Sequence, residues 1–283
     1  MSTNADTPTY DQIVAGASGA PPLVAVQRDG EHAVIVMDDP KRLNPLSVPL
    51  TLQLHEALRE LVRDPAIKAI VLTGRDPAFS AGGDLQLMTD VAHRMVDESP
   101  GGTTEAWRWI RNEFGGIARA IARADKAVIA AVNGVAAGVG LAFALACDLI
   151  LVSERARLVP AFGRIGLLPE VGTSWQLTRR LGYQGAFALF AGGRHLSGAE
   201  AHELGLANEL HPHEALLDAA LGWCARIEAL PGHVVPMTKA QLRQCADLTW
   251  EQAITMEELA EPNCFTTQAH REAVRELLAG SGG

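Results

Sequence analysis

Two short glycine-bearing stretches carry chemistry that residue type and spacing alone make legible: Phe79-Ser80-Ala81-Gly82-Gly83-Asp84 and Asn133-Gly134-Val135-Ala136-Ala137-Gly138-Val139-Gly140. Glycine serves where a backbone takes unusual dihedrals or where a ligand must approach closely. Each stretch follows an apolar, strand-like run, residues 67–73 and 127–132, and each leads into a helix-like segment. Two such turns in one domain can aim unpaired backbone N–H groups at a single ligand oxygen, the physical requirement for holding an oxyanion. A carboxylate, Glu170, stands further along in Gly166-Leu167-Leu168-Pro169-Glu170-Val171-Gly172-Thr173-Ser174-Trp175. Its neighbours Leu167, Leu168, Val171 and Trp175 favour a desolvated carboxyl of raised proton affinity. The competing reading makes it an N-cap or first-turn carboxylate for a helix beginning near Gly172.

Other templates fail. Gly138-Val139-Gly140 lacks the third glycine of the dinucleotide fingerprint, and no acidic ribose ligand follows at the expected distance. Neither a GxxxxGKS/T phosphate loop nor a GxSxG nucleophile elbow occurs. His211-Pro212-His213 reads as a solvated loop rather than a metal site. The net charge of −9, with no cluster of Lys and Arg, argues against nucleic acid as partner. Cys147, Cys224, Cys245 and Cys264 show no CxxC spacing and read as reduced thiols. No apolar stretch reaches membrane-span length. The first basic residue is Arg28, against a secretory or mitochondrial leader, and the chain ends without a peroxisomal tripeptide; a cytoplasmic location is the expectation.

The elements that must position these turns follow from periodicity. Residues 1–20 are small and polar and read as a flexible tail. Strands are expected at Leu23–Gln27 and Ala33–Asp38 across the turn Arg28-Asp29-Gly30-Glu31. Leu50, Leu54, Leu58 and Leu61 mark an amphipathic helix starting near Ser47. Further strands fall at 67–73, 127–132, 148–153 and 206–210, with a helix through about 106–124 and a mobile-looking Ser99-Pro100-Gly101-Gly102 between. This alternation implies crossover units and a largely parallel, helix-covered α/β sheet. From 213 onward the pattern is helical only. The expected organisation is a tail (1–20), a binding and catalytic core (21–212) and a helical C-terminal region (213–283). Leu216, Leu217, Leu221, Trp223, Leu242, Leu248, Trp250 and Ile254 supply more apolar surface than a thin appendage hides, which points to subunit contacts.

Five motifs in order across about residues 23–240 resemble the crotonase superfamily, the enoyl-CoA hydratases and isomerases. They are Pro40-Lys41-Arg42-Leu43-Asn44-Pro45-Leu46-Ser47, Ala78–Leu85, Val128–Gly134, Ala146-Cys147-Asp148-Leu149 and Leu196-Ser197-Gly198-Ala199-Glu200-Ala201. The resemblance implies the crotonase fold of repeated ββα units and C-terminal helices that assemble trimers, often paired into hexamers. It also implies an acyl-CoA substrate, with coenzyme A bound as part of that thioester and no permanent cofactor. The oxyanion donors fall on the backbone N–H groups of Gly83 and Val139. The CoA moiety falls to Lys41, Arg42 and Leu43 of the early motif and to Ala81, Gly82, Asp84 and Gly138 of the turns.

The chain departs from the hydratase pattern at the acid–base positions. The two glutamates of typical hydratases correspond to Ala142 and, approximately, to Pro160-Ala161-Phe162, none of which can move a proton. Glu170 matches a position that carries an acidic residue in related isomerases. The resemblance therefore favours double-bond isomerisation with Glu170 as acid and base. Hydration with Glu170 alone placing the water, and a non-catalytic CoA-binding homologue, remain open alternatives.

Overall fold

The computed structural model describes residues 9–89, 96–97 and 101–280. Helix α1 (Tyr10–Gly16) precedes an antiparallel hairpin of β1 (Val24–Asp29) and β2 (His32–Met37). A short β3 (Pro45–Leu46) leads into α2 (Val48–Arg63), which Ser47 precedes as N-cap. From there a ββα unit repeats. β4 (Ala69–Gly74) is followed by β5 (Ala78–Ser80), β6 (Gly82–Gly83) and the one-turn α3 (Leu85–Leu87). The expected single helix near 106–124 is α4 (Thr103–Trp109), a π-helical turn at Ile110–Phe114 and α5 (Gly115–Arg123). β7 (Ala127–Val132) and β8 (Val135–Ala137) lead to α6 (Val139–Ala146). β9 (Leu149–Ser153) and β10 (Arg157–Val159) lead to α7 (Thr173–Gly192). β11 (Leu196–Ser197), α8 (Gly198–Glu203) and β12 (Glu209–His211) follow, and then α9 (Leu216–Glu228), α10 (Val234–Cys245), α11 (Trp250–Phe265) and α12 (Gln268–Gly280).

The main sheet runs β1-β2-β4-β7-β9-β12 and is parallel apart from the β1–β2 hairpin. A second sheet, β11-β10-β8-β5, takes the second strand of each ββα unit. Hydrophobic periodicity indicates one helix-covered sheet; the ββα repeat is implied only by the family resemblance. The turns between paired strands need glycine. A Cβ on Gly74 would lie 2.2 Å from the Ala78 carbonyl, and one on Gly134 would lie 2.1 Å from that of Pro77.

β4 and β7 are buried along their whole length, the mark of strands covered on both faces. Alternate residues serve two cores. Ile70, Leu72, Val128, Ala130 and Val132 face Leu50, Leu54, Leu58, Leu61, Ile117 and Ile121 of α2 and α5. Ala69, Val71, Ala127, Ile129 and Ala131 join Leu216, Ala220, Cys224 and Ile227 of α9. Those four recur at helical spacing and form one stripe. Helix α9, within the stretch from 213 expected to be an appendage, is therefore a layer of the core. Without α9 the sheet would present a bare apolar face to water. Lys239 on α10 fastens the next helix: its ammonium is buried, bonds the carbonyls of Ile121 and Lys126 (both 2.8 Å), and pairs with Asp148 at 2.7 Å.

The expected loose tail needs correction for residues 9–16. A reciprocal Thr9–Gln12 capping box starts α1. The Tyr10 N–H donates to Glu105 (2.7 Å) and the Tyr10 hydroxyl to Glu113 (2.6 Å), both buried carboxylates. Residues 1–8, and Ser99 and Pro100 of the expected mobile stretch, lie outside the described residues.

Candidate active site

The first glycine turn is built on a buried asparagine. Leu43 and Asn44 both adopt left-handed backbone (φ 65° and 53°), a conformation that asparagine tolerates better than most residues. Asn44 is fully buried; its side-chain Oδ1 accepts the Asp39 N–H (2.8 Å) while its side-chain Nδ2 donates to the Arg75 (2.8 Å) and Ala78 (2.6 Å) backbone carbonyls. The Ser80 hydroxyl donates to the Asn44 carbonyl (2.7 Å) and accepts the Gly82 N–H (3.1 Å). The Ala81 N–H is held by the Leu43 carbonyl at 2.8 Å. Gly82 and Gly83 then pair with Pro45 and Leu46. The early motif is thus a clamp that shapes the first turn.

That clamp assigns structural work to some expected CoA contacts. Asp84 caps α3 by accepting the Gln86 N–H (3.0 Å) and pairs with Arg42 (2.7 Å). Arg42 also reaches toward Asp39 at 3.8 Å, yet its side chain stays 44% exposed. Lys41 and Leu43 are exposed beside it.

The second turn packs directly on the first. A Cβ on Gly82 (φ 87°) would lie 2.5 Å from the Ala137 carbonyl oxygen, and one on Gly140 would lie 2.7 Å from Ser80 Cβ. Only glycine permits this approach. Gly138 (φ 49°) is the N-cap of α6, and its N–H donates to the Val159 carbonyl at 3.0 Å. Val139 is the first helical residue, so its N–H has no acceptor within the helix, and no side chain caps this end. All eight residues of α6 are buried, which places the positive end of its dipole in desolvated surroundings.

Ala142 and Pro160-Ala161-Phe162, the expected matches to the hydratase glutamates, carry no carboxylate. Ala142 and Phe162 are buried, and the Phe162 ring edge lies 4.0 Å from where a Gly138 Cβ would stand. Phe162 also packs on Phe190, with ring centroids 6.5 Å apart.

Glu170 follows on the segment that leaves β10, whose Val159 is the register partner of Ala137. The carboxyl is half-buried, and burial alone raises its proton affinity from the ordinary 4.5 to about 7. Among the described residues no donor or cation offsets that burial. The capping alternative is corrected: the N-cap of α7 is Gly172 (φ 86°), not Glu170. The local apolar shell is corrected as well. Val171 packs on the main core, but Leu167, Leu168 and Trp175 are exposed, Leu168 by 83%. Thr173, which the sequence did not single out, is fully buried and bonds the Glu170 carbonyl through both its N–H (3.0 Å) and its hydroxyl (2.7 Å).

His213 is not in a solvated loop. Its ring bridges the Asn133 carbonyl (3.1 Å) and the Asp76 carboxylate (3.0 Å), and Asp76 also accepts the Asn133 side-chain amide at 2.8 Å. These contacts tie the start of the second glycine turn to the loop after β4. Burial opposes ionisation of Asp76, but the bonds from Asn133 and His213 win and hold its carboxyl below the usual range.

Two backbone turns touching at a desolvated helix start form an arrangement suited to holding an oxyanion. Residues 28–278 match the family described as enoyl-CoA hydratase/isomerase. The chain is 30% identical over 245 residues to 1,2-epoxyphenylacetyl-CoA isomerase of Escherichia coli (strain K12), covering 87% of this chain and 91% of that protein. It is 32% identical over 256 residues to a putative enoyl-CoA hydratase of Thermus thermophilus, covering 90% and 97%. The crystal structure of a putative enoyl-CoA hydratase from Streptomyces coelicolor A3(2) superposes with a TM-score of 0.83 at 27% identity, over 93% of this chain and 95% of that one. The chain belongs to the enoyl-CoA hydratase/isomerase family and has the crotonase fold.

Proposed function

We propose that this enzyme of CoA thioesters migrates a double bond in an enoyl-CoA. The thioester carbonyl accepts hydrogen bonds from the Gly83 and Val139 amides, which stabilise the enolate formed when a neighbouring carbon loses its proton. Glu170 takes that proton and returns it to another carbon of the conjugated system. One observation carries the choice of reaction: the Glu170 carboxyl is half-buried with its proton affinity raised by burial to about 7, while Ala142 and Pro160-Ala161-Phe162, the matches to the hydratase glutamates, carry no carboxylate. A group titrating near working pH suits both halves of a proton shuttle. Family members named as hydratases keep water addition as the second reading, with Glu170 alone placing the water. The purified protein is to be incubated with 2-enoyl-CoA and with 3-enoyl-CoA, following product mass and absorbance. An isobaric shift of the double bond supports the proposal; gain of one water selects hydration; binding without turnover removes catalysis altogether.

Lys41 and Arg42, exposed beside the first turn, are assigned to the CoA phosphates. Calorimetry with CoA and acetyl-CoA should show binding that weakens with salt, because exposed charges are screened within about 10 Å at 0.1 M ionic strength. Absence of binding at millimolar ligand would remove the basis of the whole site.

Assembly belongs to the same proposal. Trp250, Leu259, Leu277 and Leu278 on α11 and α12 are 70–74% exposed, and Phe265 joins them. Large apolar side chains left exposed along two successive helices are the kind of surface that subunit contacts cover. A homotrimer or a dimer of trimers is the expected result of light scattering, and a stable monomer at micromolar concentration would rule it out. Among the described residues no helix is long and apolar enough to cross a membrane; a cytoplasmic site of action is part of this reading.

A further inference from the structure

We propose that Thr173 is a positioning residue, whose buried hydroxyl fixes the turn Glu170-Val171-Gly172 and thereby the place of the Glu170 carboxylate. The inference rests on the reading of Glu170 as the acid/base group. Three observations support it. Thr173 is completely buried, and both its N–H (3.0 Å) and its Oγ1 (2.7 Å) donate to one acceptor, the carbonyl of Glu170. The two residues enclosed by that double bond are both left-handed, Val171 at φ 57° and Gly172 at φ 86°. For glycine this is ordinary; for β-branched valine it is an outlier. Strained backbone of this kind persists only where its surroundings over-determine it, and it gathers at functional sites.

A simple helix start does not call for this arrangement. An N-terminal threonine usually caps forward, its oxygen accepting an N–H two or three residues on. Here the cap position is Gly172, with no side-chain cap, and the threonine one residue later donates its hydroxyl backward to the residue that bears the carboxylate. Val171 anchors the other side of the turn by packing on the main core. The backbone that carries Glu170 is thereby held between a buried hydroxyl and a core contact. A shuttle that serves two carbons needs such placement, because an error of about 1 Å can cost roughly 10²-fold in rate.

The test compares Thr173→Val, which keeps the shape and removes the hydroxyl, with Thr173→Ser, which keeps the hydroxyl. Glu170→Gln is measured beside them on 2-enoyl- and 3-enoyl-CoA. Thr173→Val should lose on the order of 10²-fold in kcat with KM little changed, and Thr173→Ser should recover most of it. The acidic limb of the pH–rate profile should also move to lower pH in Thr173→Val, since a relaxed turn returns the carboxyl to water. Burial is the sole cause holding its proton affinity up, and no charged or titratable group among the described residues contributes. Wild-type kcat and pH profile in Thr173→Val, with Glu170→Gln inactive, would overturn the positioning role and leave Glu170 in place. An active Glu170→Gln would overturn both. Should the valine variant not fold, the Ser and Ala variants ask the same question: activity in Ser and loss in Ala supports the proposal, and equal activity overturns it.

Discussion

Glu170→Gln should cut turnover by roughly 10²–10⁴-fold, the range typical of removing a general acid–base group, while CoA-thioester binding survives. Glutamine keeps the size of the side chain and its capacity for hydrogen bonds but cannot exchange a proton with carbon. Recognition is expected to rest on the CoA moiety and the two amide donors, so calorimetric affinity should change little. The pH profile gives an independent check. A base must be ionised to start the reaction, so wild-type kcat/KM should fall as pH drops through about 7, the value to which burial raises this carboxyl. Stability runs the other way. The folded-state affinity is raised, so the neutral carboxyl's contribution is fully present below about 4.5 and is lost as pH rises through about 7. At pH near 8 the wild type therefore carries an uncompensated half-buried carboxylate, worth at most ~3 kcal/mol. Glutamine removes that burden, and Glu170→Gln should melt higher than wild type under alkaline conditions, with the gap closing toward acid. A helix cap would behave oppositely, losing about 1 kcal/mol on substitution. Near wild-type turnover with a lowered melting temperature would return Glu170 to a structural role and leave isomerisation without its base.

Much of the fold was legible because local pattern and tertiary outcome agree. The apolar run at 127–132 is β7, and the leucine stripe from Ser47 onward is α2. Both glycine turns fall where the motif text places them, because the contacts between Gly82 and Ala137 and between Gly140 and Ser80 leave no room for a side chain. Residues whose meaning lies in distant neighbours were not legible. The Leu216-Ala220-Cys224-Ile227 stripe has the same period whether it meets a sheet or another subunit, and only the sheet's second apolar face decides. Asn44 looks like part of a ligand motif until Ala78 and Ser80 fold over it. Leu167, Leu168 and Trp175 are beside Glu170 in sequence but exposed in space, so adjacency in the chain overstated their shielding. The Thr9–Gln12 capping box was readable and shows that composition alone is a poor guide to a terminal segment.

Val139→Pro should remove most of the turnover while leaving α6 intact. Proline has no N–H, and losing one oxyanion donor costs about 2.7–4 kcal/mol of transition-state stabilisation, or roughly 10²–10³ in rate. The usual objection to a helix proline does not apply at this position. Val139 is the first residue of α6, where the N–H lacks a helical acceptor and the fixed φ of proline suits the helix. The preceding residue, Gly138, has φ 49° and no Cβ, so the steric restriction that proline imposes on its predecessor is slight. Val139→Ala is the matched control. The valine side chain is 2% exposed, and removing two buried methyl groups should cost on the order of 2 kcal/mol of stability. Its backbone N–H stays, so turnover should stay as well. The two variants thus separate packing from catalysis: alanine lowers the melting temperature and keeps the rate, whereas proline lowers the rate far more than stability explains. A folded, CoA-binding Val139→Pro variant with wild-type kcat would mean that the enolate oxygen is held elsewhere. The start of α6 would then be architecture alone, and the search for the second donor would move to the Gly83 side of the site.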